Sequence, residues 1–323
     1  MNNRHFILSF LFQLLISISF VNQSVGQENT ESISLIAEHI LTESSAEEIL
    51  KLSSTLLDRM KIQLSADVQD ITPLDSTGLI FELISKDNHL QIITWAILFS
   101  DKWEYFGFIK SYNEVKEKFI VWELIPSDFK QCINSKKTNT QENWPAGVYM
   151  KLIETTYNKR KYYTVLGWLA NDAQTAHKFI DVISISKSGK PSFGKSSYFS
   201  KNKKYSNRVL FSYNSQSKFL LDYGKYNYTE RSWNRKKKKY DQKIFTENLI
   251  VFDHLIPMYS DLADHPEFFV PAGNIIDAFM FEKGKWRLKP DIDARNIKLK
   301  EKVNNKTKPQ MELFPDKGDS NQD

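Results

Sequence analysis

From Gly78 onward the apolar residues of this chain stop recurring at helical spacing and begin to alternate. They come in runs rich in Ile, Val, Thr, Phe, Tyr and Trp, broken by turn residues, and the pattern lasts to Leu288. "LIFELIS" leads through Asp87-Asn88 into "LQIITWAILF", and Ser100-Asp101 leads into "WEYFGFIK" and then "KFIVWELI". "GVYMKLIETTY" turns at Asn158-Lys159 into "KYYTVLGWLA", followed by "HKFIDVISIS", "KFLLDYGKYNY", "IFTENLIVFDHL" and "AFMFEKGKWRL". Such a chain must pair strand with neighbouring strand. The fold class expected is mainly β: an antiparallel meander of about ten or more strands.

Two readings refine that expectation. Glycines inside four of the runs, Gly107, Gly167, Gly194 and Gly224, point to strongly curved strands, barrel-like or propeller-like, because a strand tolerates glycine where it must bend or bulge. A turn centred near Asn113 would set Trp103 opposite Glu123 and Glu104 opposite Trp122, with apolar residues on both faces of that pair, which argues for a sheet covered on both sides or partly rolled. In that register Glu104 and Glu123 point to opposite faces and cannot share a substrate as a glycosidase pair would.

Before the strands lie two helical patterns. Ile33, Ile36 and Ile40 share one face, as do Ile49, Leu52, Leu56, Met60 and Leu64, and Ser45 with Glu48 forms a capping-box signature. Further upstream, Arg4, an apolar stretch from Phe6 to Val21 and the small residues Ser24-Val25-Gly26 read as a secretory signal peptide cleaved after Gly26. The stretch is shorter than the roughly 20 residues a membrane span needs. The expected organisation is therefore a signal peptide at 1–26, a helical extension at 27–75, a β domain at 76–295 and a charged tail at 296–323, disordered at its end. Export implies the periplasm or the medium, with no transmembrane anchor left after cleavage. Cys132 is the only cysteine, so no internal disulfide forms. It lies in a polar loop as an incidental thiol.

Charge is unevenly spread. Against a net +5, Lys195 to Lys243 holds 14 Lys and Arg with only Asp222, Glu230 and Asp241, whereas Ile244 to Asp277 holds six acids and no Lys or Arg. The basic segment peaks in "RSWNRKKKKY", with Trp233 beside Arg235, Lys236, Lys237, Lys238 and Lys239, a surface suited to an envelope protein or an anionic or sugar polymer. Interleaved aromatics also suit single-stranded nucleic acid, but export removes most of it from reach.

The acidic segment offers Asp253, His254 and His265 as candidates for a hydrolase. The two histidines are eleven apart with Pro257 between them, which fits no helical zinc motif, and local turn and cap roles explain these residues as well. No nucleophile elbow, phosphate loop or paired-cysteine metal site occurs, so no metal or cofactor is expected. The leading expectation is a non-enzymatic binding protein.

The phrases "WPAGVYMKLIE", "YYTVLGW", "FIDVISISKSGKPSFGK", "IVFDHLIP" and "FVPAGNIIDAFMFEKGKWR" together resemble an uncharacterised family of exported proteins from Bacteroidota-type Gram-negative bacteria, over approximately residues 80 to 295. The resemblance implies export into the envelope of a two-membrane cell and carries no activity or catalytic residue.

Overall fold

The computed structural model describes residues 32–74, 78–99, 102–132, 134, 136–170, 174–201 and 204–292. The segments expected to be a signal peptide, 1–26, and a charged tail, 296–323, lie outside them. Among the described residues no helix is long and apolar enough to cross a membrane. The chain divides into two compact units, one running to Lys225 and resuming over Asn248–Ile292, the other containing Tyr226–Glu247.

Both expected helices form. Helix α1 spans Ile33–Thr42 and α2 spans Ala46–Ala66, and Ser32 and Ser45 cap them by accepting from Leu35 N and Glu48 N. Only half of the predicted capping box is made. The backbone N–H of Ser45 donates to Glu43 Oε1 (2.8 Å), while Glu48 turns outward to Lys51 (3.2 Å). Glu43 thus does the work assigned to Glu48, because a carboxylate two residues upstream reaches the same orphan donor. Ile36, Ile40, Leu56, Met60 and Leu64 bury their face against Ile93, Trp95, Ile97 and Phe108.

Those last four residues belong to the first sheet, a meander of β1 (Phe81–Ile84), β2 (Leu90–Phe99), β3 (Lys102–Asn113) and β4 (Lys118–Glu123). Its other face packs on a second sheet ordered β5 (Asn139–Thr140), β9 (Pro191–Phe193), β8 (Thr175–Ile185), β7 (Arg160–Ala170) and β6 (Val148–Tyr157), with β12 (Val209–Asn214) also paired to β8. The third sheet is ordered β11 (Lys204–Ser206), β10 (Phe199–Lys201), β16 (Lys285–Lys289), β15 (Phe269–Glu282), β14 (Lys239–Pro257) and β13 (Leu221–Asn234). Each sheet contains one run of four consecutive antiparallel strands. The expected long meander is thus divided in three, and the sheets are open, with no closure into a barrel.

The division follows from the middle layer. Along β7, Tyr163, Val165 and Leu169 face the first sheet while Tyr162 and Leu166 face Ile250, Phe279 and Trp286 of the third. A strand apolar on both faces needs a sheet on either side. The glycines answer to packing and turns more than to curvature. A Cβ on Gly167 would stand 2.3 Å from the Phe179 ring and one on Gly147 2.5 Å from it, so both clear space for that side chain; Gly194, at φ +79°, takes a left-handed conformation directly after β9.

The β3–β4 register also differs from expectation. Phe108 faces Glu123 and Ile109 faces Trp122. Asn113 opens the turn, its Oδ1 accepting from Val115 N and Lys116 N (2.9 Å each), and Glu117 takes the left-handed conformation at φ 51°. Since opposed residues share a face and strands alternate with period two, Glu104 and Glu123 lie on the same face. They are still four residues apart in register, about 14 Å of strand, and Glu123 is held by Lys61 (3.0 Å).

Between the first two sheets sits a buried ion pair. Arg208 Nη2 donates to Asp181 Oδ2 on β8, and Nη1 donates to the carbonyl of Cys132 (2.6 Å). Both side chains are at most 5% exposed. Arg208→Met strands a buried carboxylate and is expected to lower the unfolding free energy by about 3–5 kcal/mol in guanidinium titration, with Asp181→Leu added to it recovering most of the loss.

At the β1–β2 turn, burial pushes the Asp87 carboxyl upward, but bonds from Lys161, Ser85 Oγ and the backbone N–H of His89 prevail and hold it at about 2. A carboxyl depressed on folding stabilises above its unfolded pKa and loses that stabilisation as pH falls through the folded one. The stability deficit of Asp87→Asn is therefore expected in full at pH 5, to be mostly gone by pH 2 and to vanish below it, read from thermal melts across that range.

Candidate functional site

The Asp and His residues of the acidic segment go to three separate partners. Asp253, on β14, accepts from Leu220 N through Oδ2 (2.6 Å), and its own N–H donates to the carbonyl of Leu220 (3.3 Å). His254 sits where the β14–β15 register shifts, and its Nδ1 lies 2.8 Å from Oδ2 of the buried Asp277. Asp277 Oδ1 accepts from Asp291 N (2.9 Å). His265 precedes a short 3₁₀ turn without a side-chain capping bond, and its Nδ1 meets Glu267 Oε1 at 3.2 Å. Asp277 orients the His254 ring through this contact. Among the described residues no three His, Cys, Asp or Glu are grouped to hold a metal ion. The chemistry of the arrangement is that of a pinned strand irregularity, where buried acceptors tie down a shifted register.

The basic segment is a hairpin. Strand β13 runs to Asn234, β14 resumes at Lys239, and residues 235–238 form the turn. Asn234 Oδ1 accepts from Lys236 N (3.1 Å) and Lys237 N (3.2 Å), and Lys238 adopts φ 48°. An asparagine heading a run of long, strongly hydrated side chains thus folds the run back on itself with every ammonium in water. Trp233 and Tyr240, 53% and 64% exposed, meet edge to face with centroids 5.1 Å apart. Arg235, Lys236, Lys237, Lys238 and Lys239 are all exposed, and Asp241 pairs with Lys237 at 3.4 Å. An exposed aromatic pair at the base of five cations can stack on a flat group while the cations hold nearby anions.

A third place was not visible as a site in the sequence. A hollow of about 590 Å³ opens beside β3, in the size range of ligand pockets. Its walls include Tyr105, Leu124, Phe129, Ala146 and Leu169, and carboxylates stand at Glu104, Glu123 and Asp128. The hydroxyl of Tyr105 accepts from Ala170 N (2.7 Å) and donates to Ala170 O (2.8 Å), and burial holds its pKa far above the usual phenol range. Cys132 also lines the hollow. It belongs to a single helical turn, α3 (Phe129–Cys132), and is buried in the core rather than loose in a polar loop, its thiol pushed up by burial and its sulfur 3.6 Å from Ser127 Oγ. The only advance signal was the apolar pair Phe129 and Cys132 within an otherwise polar stretch.

The chain matches no model of a known protein family, and comparison with characterised proteins finds no match.

If His254 and Asp277 are structural, their substitutions should separate by bonds lost. Asp277→Ala removes the acceptor for both His254 and Asp291 N and is expected to cost about 1–3 kcal/mol, more than His254→Ala, which removes one partner of a half-exposed ring. Chemical denaturation of the two variants gives the comparison.

Proposed function

We propose that the chain is an exported, non-enzymatic binding protein of the bacterial envelope, acting in the periplasm or the medium, that holds an anionic polymer through the hairpin Tyr226–Glu247. The export signal read in residues 1–26 and the resemblance to an exported Bacteroidota-type family support the location. One observation carries the binding reading: five consecutive cations, Arg235 to Lys239, are exposed on one tight turn with Trp233 and Tyr240 exposed beneath them. Over Tyr226–Glu247 seven Lys and Arg stand against three acids. Holding so many like charges together costs self-repulsion, which an anionic partner relieves. The aromatic pair adds a stacking face for planar or sugar groups, worth about 1–3 kcal/mol where a base stacks on such a ring. An acidic envelope protein offers the same charges and is the second partner class. A hydrolase on Asp253, His254 and His265 is not favoured, since each is spent on a local bond.

Changing Lys236, Lys237, Lys238 and Lys239 to serine is expected to weaken retention on immobilised heparin, a model sulfated polysaccharide, by more than about tenfold at 50 mM salt, and to flatten the salt dependence because fewer counterions are released. Trp233→Ala should weaken it less and leave the salt slope unchanged. Equal retention of the serine variant and the parent would remove the reading.

A further inference from the structure

The hollow beside β3 has a wall made of strand edge. β3 pairs with β2 from Lys102 to Ser111, but β4 pairs only with Phe108 to Asn113. Leu124 adds one bond, its N–H donating to the carbonyl of Gly107 (2.9 Å), and then the chain leaves. Ile125 N–H donates to Gln141 O (2.7 Å), Ile125 O accepts from Trp144 N (2.8 Å), Ser127 N–H donates to Trp144 O (2.8 Å), and Pro126 has no N–H to offer. Residues 125–127 therefore spend their backbone on 141–144 and none of it on β3.

The carbonyl of Gly107 faces the side where β4 lies. Backbone groups alternate sides with every residue along an antiparallel strand, so Tyr105 and Trp103 direct their N–H and C=O to that same side, beyond the end of β4. No described strand pairs with them there. Two donors and two acceptors in extended register thus line a hollow whose inner wall is apolar. An unpaired edge of this kind is matched by one thing above all, another extended polypeptide.

Charge narrows the choice of polypeptide. The lining holds Glu104, Glu123 and Asp128 against Lys102, with Lys61 reaching Glu123 (3.0 Å) from outside it. A neighbouring hollow that shares Leu57, Glu104 and Phe106 adds Glu47 and Glu48 against Lys51. This margin is acidic on a chain that carries +5 overall. Strands that alternate apolar and cationic side chains match it: one face enters the space between Tyr105, Leu124 and Leu169, and the cations of the other meet the exposed Glu104.

We propose that the β3 edge from Trp103 to Tyr105 is a strand-addition site for an extended peptide of alternating apolar and basic residues. The peptide continues the first sheet in the place that β4 vacates, with bonds to the outward backbone of Trp103 and Tyr105 and one large apolar side chain in the hollow. This site lies beyond the hairpin reading and does not rest on it.

The test uses the variant with Lys236 to Lys239 replaced by serine, so that a failure of the hairpin reading leaves this result intact. The probe is a fluorescein-labelled heptapeptide, acetyl-Lys-Leu-Lys-Phe-Lys-Leu-Lys-amide, followed by anisotropy. Saturable binding is expected, at least about tenfold weaker when the lysines become glutamates and at least about tenfold weaker when alternate peptide amides are N-methylated, since each change removes one term of recognition. Glu104→Lys, at an exposed position that leaves the fold alone, is expected to weaken binding at least about fivefold by the same charge argument. Hydrogen exchange of the Trp103 and Tyr105 amides should slow on binding. Binding indifferent to N-methylation would mean attraction by charge alone and would overturn the proposal. So would an apolar dye filling the hollow while the peptide leaves those two amides exchanging, or a concentration-dependent dimer that already protects them without peptide.

Discussion

The second sheet is covered on both faces, and the rest of the main unit follows from that. Strands β7 and β8 are apolar on each side, with Val165, Phe179 and Ile183 toward the first sheet and Leu166, Ile180 and Val182 toward the third. Such strands cannot sit at a surface without exposing one apolar face, so a sheet must be laid on each. The first sheet then has its own outer face to bury, and α1 and α2 cover it through Leu56, Met60 and Trp95. The order of layers is helix pair, first sheet, second sheet, third sheet. Asp181 is the exception within the middle layer, a charge among apolar neighbours that Arg208 and the backbone N–H of Val182 satisfy.

That exception ties the core to the hollow. Arg208 bonds Asp181 on β8 and the carbonyl of Cys132 at the end of α3, so the turn that floors the hollow is fixed to the central sheet through one guanidinium. The planar fork of arginine can serve both acceptors at once, which a lysine ammonium at the end of a flexible stem would do with less direction. Tyr105 fixes the opposite wall by bonding both backbone groups of Ala170. A strand edge offered to a partner binds more tightly when nothing around it has to be ordered first, and these two anchors meet that condition.

Much of the fold was legible because its signals are local. Asn158 and Lys159 both take positive φ, 50° and 62°, between strands that end at Tyr157 and begin at Arg160, so a two-residue turn could be read from the dipeptide between alternating runs. The helix faces follow from spacing alone. Register was less legible, since Asn113 is as good at opening a turn through its side chain as at occupying the left-handed position, and only the structure shows that Glu117 takes the latter. An offset of five residues then reversed the faces assigned to Glu104 and Glu123. The partition of strands into three sheets depends on contacts between distant segments, such as Trp103 against Trp168 with centroids 5.1 Å apart, which no local pattern encodes.

The same distinction explains which candidate surfaces could be anticipated. A run such as Arg235 to Lys239 announces itself by composition, since five adjacent cations cannot be buried whatever the fold around them. His254 and His265 also drew notice by residue type, yet what decides their chemistry is geometry: the shifted register of β14 and β15 gives one ring to Asp277, and a 3₁₀ turn gives the other to Glu267. The β3 edge has no compositional mark at all. It exists because β4 stops at Glu123 and Pro126 carries the chain to Trp144, so that among the described residues no backbone pairs with the outward half of Trp103 and Tyr105. A strand edge is defined by what does not pair with it, and that can be read only where the positions of all neighbouring strands are known.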